Sequence, residues 1–170
     1  GAAPGSNNTA EIKIDTVPPE VTITTPADGA VYILNQPVTA DWTATDAAPG
    51  SGIASATGTV PSGSAIDTGT VGTKTFIVDA ADYAGWTATS TVTYYVRYNF
   101  GGFLPPLGPG PKAFQSGSTI PVKFKLTDYY GVAVSTATGS VSISTDPAAS
   151  ADIRYSVEDE QYIANLKTPK

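Results

Sequence analysis

Large apolar and small polar residues alternate in phase over a series of short runs, and each run stops at a Gly or Pro cluster. In Pro37–Thr45, Val38, Ala40, Trp42 and Ala44 hold one parity, while Thr39, Asp41, Thr43 and Thr45 hold the other. Successive side chains of an extended chain point to opposite faces, so this run predicts a strand with one buried face and Trp42 as a core ring. Thr73–Ala80 places Phe76, Val78 and Ala80 together, and Thr87–Tyr98 alternates in the same manner. Val21–Thr25 and Ile53–Val60 read as shorter strands, and Ala10, Ile12 and Ile14 set against Glu11, Lys13 and Asp15 predict another over Asn7–Asp15. Pro26–Gly29, Asp46–Gly52 and Ala81–Gly85 supply the turns.

Thr91–Pro106 is the hinge of the pattern: an alternating strand through Tyr98, then a Gly pair and a Pro pair. Beyond it, Val122, Phe124 and Leu126 alternate with Pro121, Lys123 and Lys125 in Thr119–Asp128. Lys123 and Lys125 read as outward charges guarding a strand against edge pairing. Gly131–Val134, Ser140–Thr145, Ile153–Val157 and Gln161–Leu166 are further predicted strands. Turn signals recur every ~8–12 residues and no stretch shows helical periodicity, which predicts an all-β chain of two tandem immunoglobulin-like β-sandwich modules. The modules are expected over residues 14–98 and 99–170, with 1–13 as a lead-in strand or the tail of a preceding repeat.

Composition narrows the chemistry. The 170 residues include no Cys, His or Met, which removes the usual soft metal ligands and the Ser–His and Cys–His nucleophile pairs. Formal net charge is −6 with 14% charged residues, and the Lys and Arg are scattered singly. Nucleic-acid binding needs a concentrated basic footprint, so that class is rejected. No run reaches the ~20 apolar residues of a membrane span, so no membrane insertion is expected.

Three aspartates, Asp46, Asp79 and Asp82, fall in or beside the two long loops of the first module and are candidate Ca²⁺ ligands, since that ion takes oxygen donors from carboxylates and loop carbonyls. The bland alternative is a set of Asx turns in which each carboxylate bonds its own backbone. Tyr83 with Trp86, and Tyr129 with Tyr130, are loop-borne aromatics that would stack on a sugar ring or anchor a partner; the alternative is that they lid a sandwich end. The Glu158-Asp159-Glu160 run reads as a solvated turn, because consecutive residues do not flank a scissile bond. No enzyme is expected.

Several spaced motifs carry a resemblance. Ile14-Asp15-Thr16 with Pro18-Pro19, Pro26 to Gly29, Asp46 before Ser51-Gly52-Ile53, Gly72-Thr73, and Asp82 before Ala84-Gly85 resemble the bacterial immunoglobulin-like repeats that occur in tandem in extracellular proteins. Where many such repeats hold a cysteine pair this chain has Ala44 and Ala56, and Trp86 replaces the usual Asn after Ala-Gly. The second half resembles the PxKF domain through Pro121-Val122-Lys123-Phe124, Asn99-Phe100, Gly102-Phe103 and Lys167-Thr168-Pro169; that family continues with further strands, which leaves two expectations, a sequence that is part of a longer protein or a second sheet with an open edge where the final strands are lacking. The resemblances imply a non-catalytic spacer or stalk of a secreted or cell-surface protein, with neighbouring domains or subunits as partners. Two alternatives stand beside it: a filament subunit joined by β-strand complementation, and an accessory module that binds polysaccharide.

Overall fold

The first half of the chain supplies β1 (Glu20–Thr25), β2 (Val31–Ile33), β3 (Asp41–Thr45), β4 (Ile53–Gly58), β5 (Gly72–Asp82) and β6 (Thr87–Arg97). The second supplies β7 (Asn99–Leu104), β8 (Thr119–Thr127), β9 (Ser140–Ile143), β10 (Asp146–Asp152), β11 (Arg154–Ser156) and β12 (Gln161–Lys167). The computed structural model describes residues 14–110 and 112–170, and among these there is no helix: the chain is all-β. Most of the strand predicted over Asn7–Asp15 lies outside the described residues; Ile14 and Asp15 are not in a strand.

Two compact units emerge. One takes in the described residues up to Ala30, Val38–Ile66 and Thr75–Tyr94; the other comprises Val31–Pro37, Asp67–Lys74 and Tyr95–Lys170. In the first, β1 pairs antiparallel with β3, from Glu20 opposite Thr45 to Thr25 opposite Asp41. The segment before β3 is held on its other side: Ala40 N donates to Ser64 O at 2.8 Å and Ile66 N to Val38 O at 3.0 Å. β4 pairs antiparallel with β5, from Ile53 opposite Asp82 to Gly58 opposite Val78.

Alternation decides what is inside. On β5, Phe76, Val78 and Ala80 are buried while Ile77 and Asp79 face outward. Pro19, Pro26, Ala40, Ile66 and Tyr94 are buried with them, as is the polar Asp82. The predicted phase of Pro37–Thr45 holds, but Trp42 is only half-buried. Its indole lies over Gly58, where any side chain would collide with the ring, and its Nε1 donates to Val60 O at 3.0 Å. A polar handle on a large ring finds a carbonyl partner at the margin of the core.

In the second unit, β11-β12-β8-β7 form a four-stranded antiparallel sheet and β9-β10 a hairpin. The core is Val122, Phe124, Tyr162, Ala164 and Leu166, and Val141, Ile143 and Ala151 of the hairpin pack against it. That gives two layers of sheet around one apolar core. β8 lies between β12 and β7, so the reading of Lys123 and Lys125 as edge guards is corrected: the strand is central. Pro121 is tolerated there because β7 ends at Leu104 opposite Lys123, leaving no strand beside Pro121 on that side to need its missing N–H.

Three further differences have local causes. Gly101-Gly102 is a bulge inside β7, not a break before the second unit: Phe100 pairs with Leu126 and Phe103 with Phe124, three positions against two. The extra residue turns Phe100 and Phe103 to one face, where both rings meet Phe124 edge-on at 5.7 and 6.0 Å. Gly131–Val134 forms only an isolated bridge, Thr127 with Ala133. β10, DPAASAD, has no large apolar residue and escaped the alternation test.

Candidate functional site

Asp15, Asp46 and Asp82 come from three separate places in the chain, yet one oxygen from each lies within 4.8 Å of an oxygen from both others. All three belong to the first unit. Asp15 precedes β1, Asp46 directly follows β3 at the start of the loop to β4, and Asp82 closes β5. Each carboxylate fixes backbone. Asp15 Oδ1 accepts from Val17 N at 3.0 Å and its Oδ2 from Ser51 N at 2.7 Å. Asp46 Oδ2 accepts from Gly52 N at 2.6 Å, and Asp82 Oδ1 from Trp86 N at 2.9 Å. Ser51 also joins the two loops, its Oγ accepting from Ala84 N at 3.0 Å. Hydrogen bonding from the Ser51 side chain, then from the Val17 and Ser51 backbone, holds the Asp15 carboxyl below its ordinary value.

The remaining oxygens are unusual. Asp46 Oδ1 and Asp82 Oδ2 are both buried and neither has a hydrogen-bond partner. Asp82 as a whole is only 3% exposed. The loop closes tightly over Asp46: a methyl group at Gly50 would come within 2.4 Å of both its carboxylate oxygens. Three carboxylates that converge, with buried lone pairs left over, form an all-oxygen donor set of the kind that hard cations take.

Of the predicted metal ligands, Asp46 and Asp82 meet and Asp79 does not. Asp79 is three residues from Asp82 on one strand, hence on the opposite face, and its exposed carboxylate accepts from Thr89 Oγ1 at 2.6 Å. Asp15 joins the cluster although alternation alone places it at the end of a strand and gives no sign of it. The signal available was its place in Ile14-Asp15-Thr16 ahead of Pro18-Pro19, one of the spaced motifs shared with Asp46 and Asp82.

Tyr83 is 76% exposed on the turn after Asp82, and Trp86 is 46% exposed. The Trp86 indole N–H donates to Asp15 O at 3.3 Å, so this ring is engaged at the aspartate loops. Tyr129 and Tyr130 are exposed on the turn after β8, their rings 5.3 Å apart and nearly perpendicular. Glu158-Asp159-Glu160 is an exposed turn, with Asp159 accepting from Ser156 and Gln161 at 3.2 Å each. Among the described residues no helix is long and apolar enough to cross a membrane.

No family model matches the chain, and no curated protein matches it. One solved structure similar to it is that of surface layer protein SbsC, domains 4-9, at 16% identity and a TM-score of 0.32. The match covers 88% of this chain, which spans 26% of the length of that structure.

Proposed function

We propose that the chain is a non-catalytic structural segment, a spacer or stalk, of a larger secreted or cell-surface protein. The observation that carries this reading is the run from Thr87 to Leu104, extended throughout except at Tyr98, with β6 ending at Arg97 and β7 beginning at Asn99. β5 and β6 are eleven residues each, about twice the ordinary strand length. A strand of that length reaches roughly 36 Å at ~3.3 Å per residue. The spaced sequence motifs from Ile14-Asp15-Thr16 to Ala84-Gly85, which resemble those of tandem extracellular repeats, favour the same reading. Small-angle scattering combined with limited proteolysis tests it: an elongated particle resistant to cleavage near Tyr98 is expected. A near-spherical particle, or rapid cutting between Arg97 and Asn99, counts against it.

A second reading, assembly by strand addition, draws on β7. This strand ends its sheet, and Phe100 and Phe103 on it are nearly half exposed. An open edge flanked by apolar rings is a template for another chain. Concentration-dependent sedimentation that Phe100→Ser abolishes would support it, and a monomer at every concentration would end it. Polysaccharide binding is the weakest of the three, because perpendicular rings at Tyr129 and Tyr130 do not make the flat platform a sugar face stacks on.

A further inference from the structure

We propose that Asp15, Asp46 and Asp82 bind one Ca²⁺ ion, and that the ion fastens the segment before β1 to the loops after β3 and β5. This assignment stands whether or not the spacer reading does. Clustered acidic residues alone would not justify it. The deciding observation is that Asp82, 3% exposed, keeps Oδ2 buried without a donor, and that Asp46 Oδ1 is buried in the same condition. A buried carboxylate oxygen with no partner is strongly unfavourable unless a charge of opposite sign meets it. Among the described residues no Lys or Arg is paired with any of the three; the ion pair found among those residues joins Lys74 to Asp67.

The local bonding is organised in the same sense. In Asp46 and Asp82 one oxygen holds the residue's own loop through Gly52 N or Trp86 N, and the other is left over. Carboxylates oriented by backbone N–H groups, with free lone pairs converging, are preorganised ligands. The donors are all oxygen, which selects hard cations over zinc or copper. Oxygens up to 4.8 Å apart suit an ion that bonds at about 2.3–2.6 Å and tolerates irregular ligands from loops. Magnesium bonds at about 2.0–2.1 Å, demands near-octahedral order and keeps its water, so it fits this donor set less well.

The test is calorimetric titration of the full chain with CaCl₂ after treatment with EGTA, alongside thermal unfolding in CaCl₂ and in EGTA. One ion should bind per chain, and Ca²⁺ should raise the unfolding temperature reversibly. Asp46→Asn and Asp82→Asn each keep a carbonyl oxygen for Gly52 N or Trp86 N, so both should fold while weakening Ca²⁺ by at least about tenfold. In EGTA these two variants should melt at or above the parent temperature, because each removes a repelling charge; a purely structural role for the carboxylates requires the reverse. Asp79→Asn should leave binding unchanged. Should Asp82→Asn fail to fold, Asp15→Asn, altered outside the strands, carries the same prediction. The proposal is overturned by folded, metal-free protein that gives neither heat nor a thermal shift. It is equally overturned by Mg²⁺ binding more tightly than Ca²⁺, or by Asp79→Asn weakening binding as much as Asp82→Asn.

Discussion

Asn35 Nδ2 donates to Asp128 Oδ2 at 3.0 Å, although 93 positions separate the two residues in the chain. Both belong to the second unit. Asp128 follows β8 and is 7% exposed; its other oxygen accepts from Tyr130 N and Val132 N, each at 2.9 Å. The carboxylate therefore shapes the Tyr129-Tyr130 turn and holds the Asn35 turn, whose own backbone is left-handed at a φ of 63°. Leu34 O strengthens the junction by accepting from Tyr129 N at 2.9 Å.

That geometry sets a pH dependence. The Asn35 hydrogen bond foremost, with the backbone donors of the turn behind it, lowers the Asp128 carboxyl pKa from its ordinary value. A depressed folded-state value means that the carboxylate contributes stability above the unfolded value, about 3.9, and that this is lost as pH falls through the folded value. Denaturant unfolding of the parent and of Asp128→Ala should therefore differ clearly at neutral pH and converge in acid. A difference that stays constant down to acid pH would mean that Asp128 acts through packing alone.

The second unit's core should be most sensitive at Phe124 and Tyr162, whose rings stack at 5.5 Å. Phe124→Ala opens a cavity among Phe100, Phe103 and Tyr162 and should lower unfolding free energy by about 3–5 kcal/mol. Tyr162→Phe leaves Ala137 N, which donates to Tyr162 Oη at 2.8 Å, without its acceptor, and should lower it by about 1–3 kcal/mol. Equilibrium urea titrations measure both.

Gly102 carries the bulge of β7 at a φ of +98°, a region costly for any residue with a Cβ. Gly102→Ala should destabilise by about 1–2 kcal/mol although nothing lies within 4 Å of where its Cβ would stand. Gly101→Ala, with no positive φ and equal space, is the control and should be far milder in the same titration.

At the aspartate loops the steric limit is Gly50. A Cβ there meets both Asp46 oxygens, so Gly50→Ala should push the carboxylate aside and lower stability by about 1–3 kcal/mol. Ca²⁺ should then restore less of the unfolding temperature than it does in the parent. Melting curves with and without the ion separate the two effects.

How much of this was legible before the fold was known depends on what each residue's partners are. β5 and β8 could be read because one face must be apolar over five or more positions, as Phe76, Val78 and Ala80 show. β2 could not: three residues are too few for a period, and Val31–Ile33 is a strand only because it pairs in parallel with Tyr95–Arg97 far along the chain. The Gly pair of β7 looked like punctuation, since a bulge and a loop use glycine for the same reason. For the candidate site, loop aspartates could be singled out by residue type, but parity on β5 separates Asp79 from Asp82, and only the path of the chain before β1 brings in Asp15.

The most direct test is a crystal grown with Ca²⁺ or Tb³⁺ and measured for anomalous scattering. A single strong peak coordinated by Asp15, Asp46 and Asp82, with Asp46 Oδ1 and Asp82 Oδ2 among its ligands, is the predicted result. Well-ordered loops with no peak there, or a peak held only by exposed carboxylates such as Asp79, would contradict it.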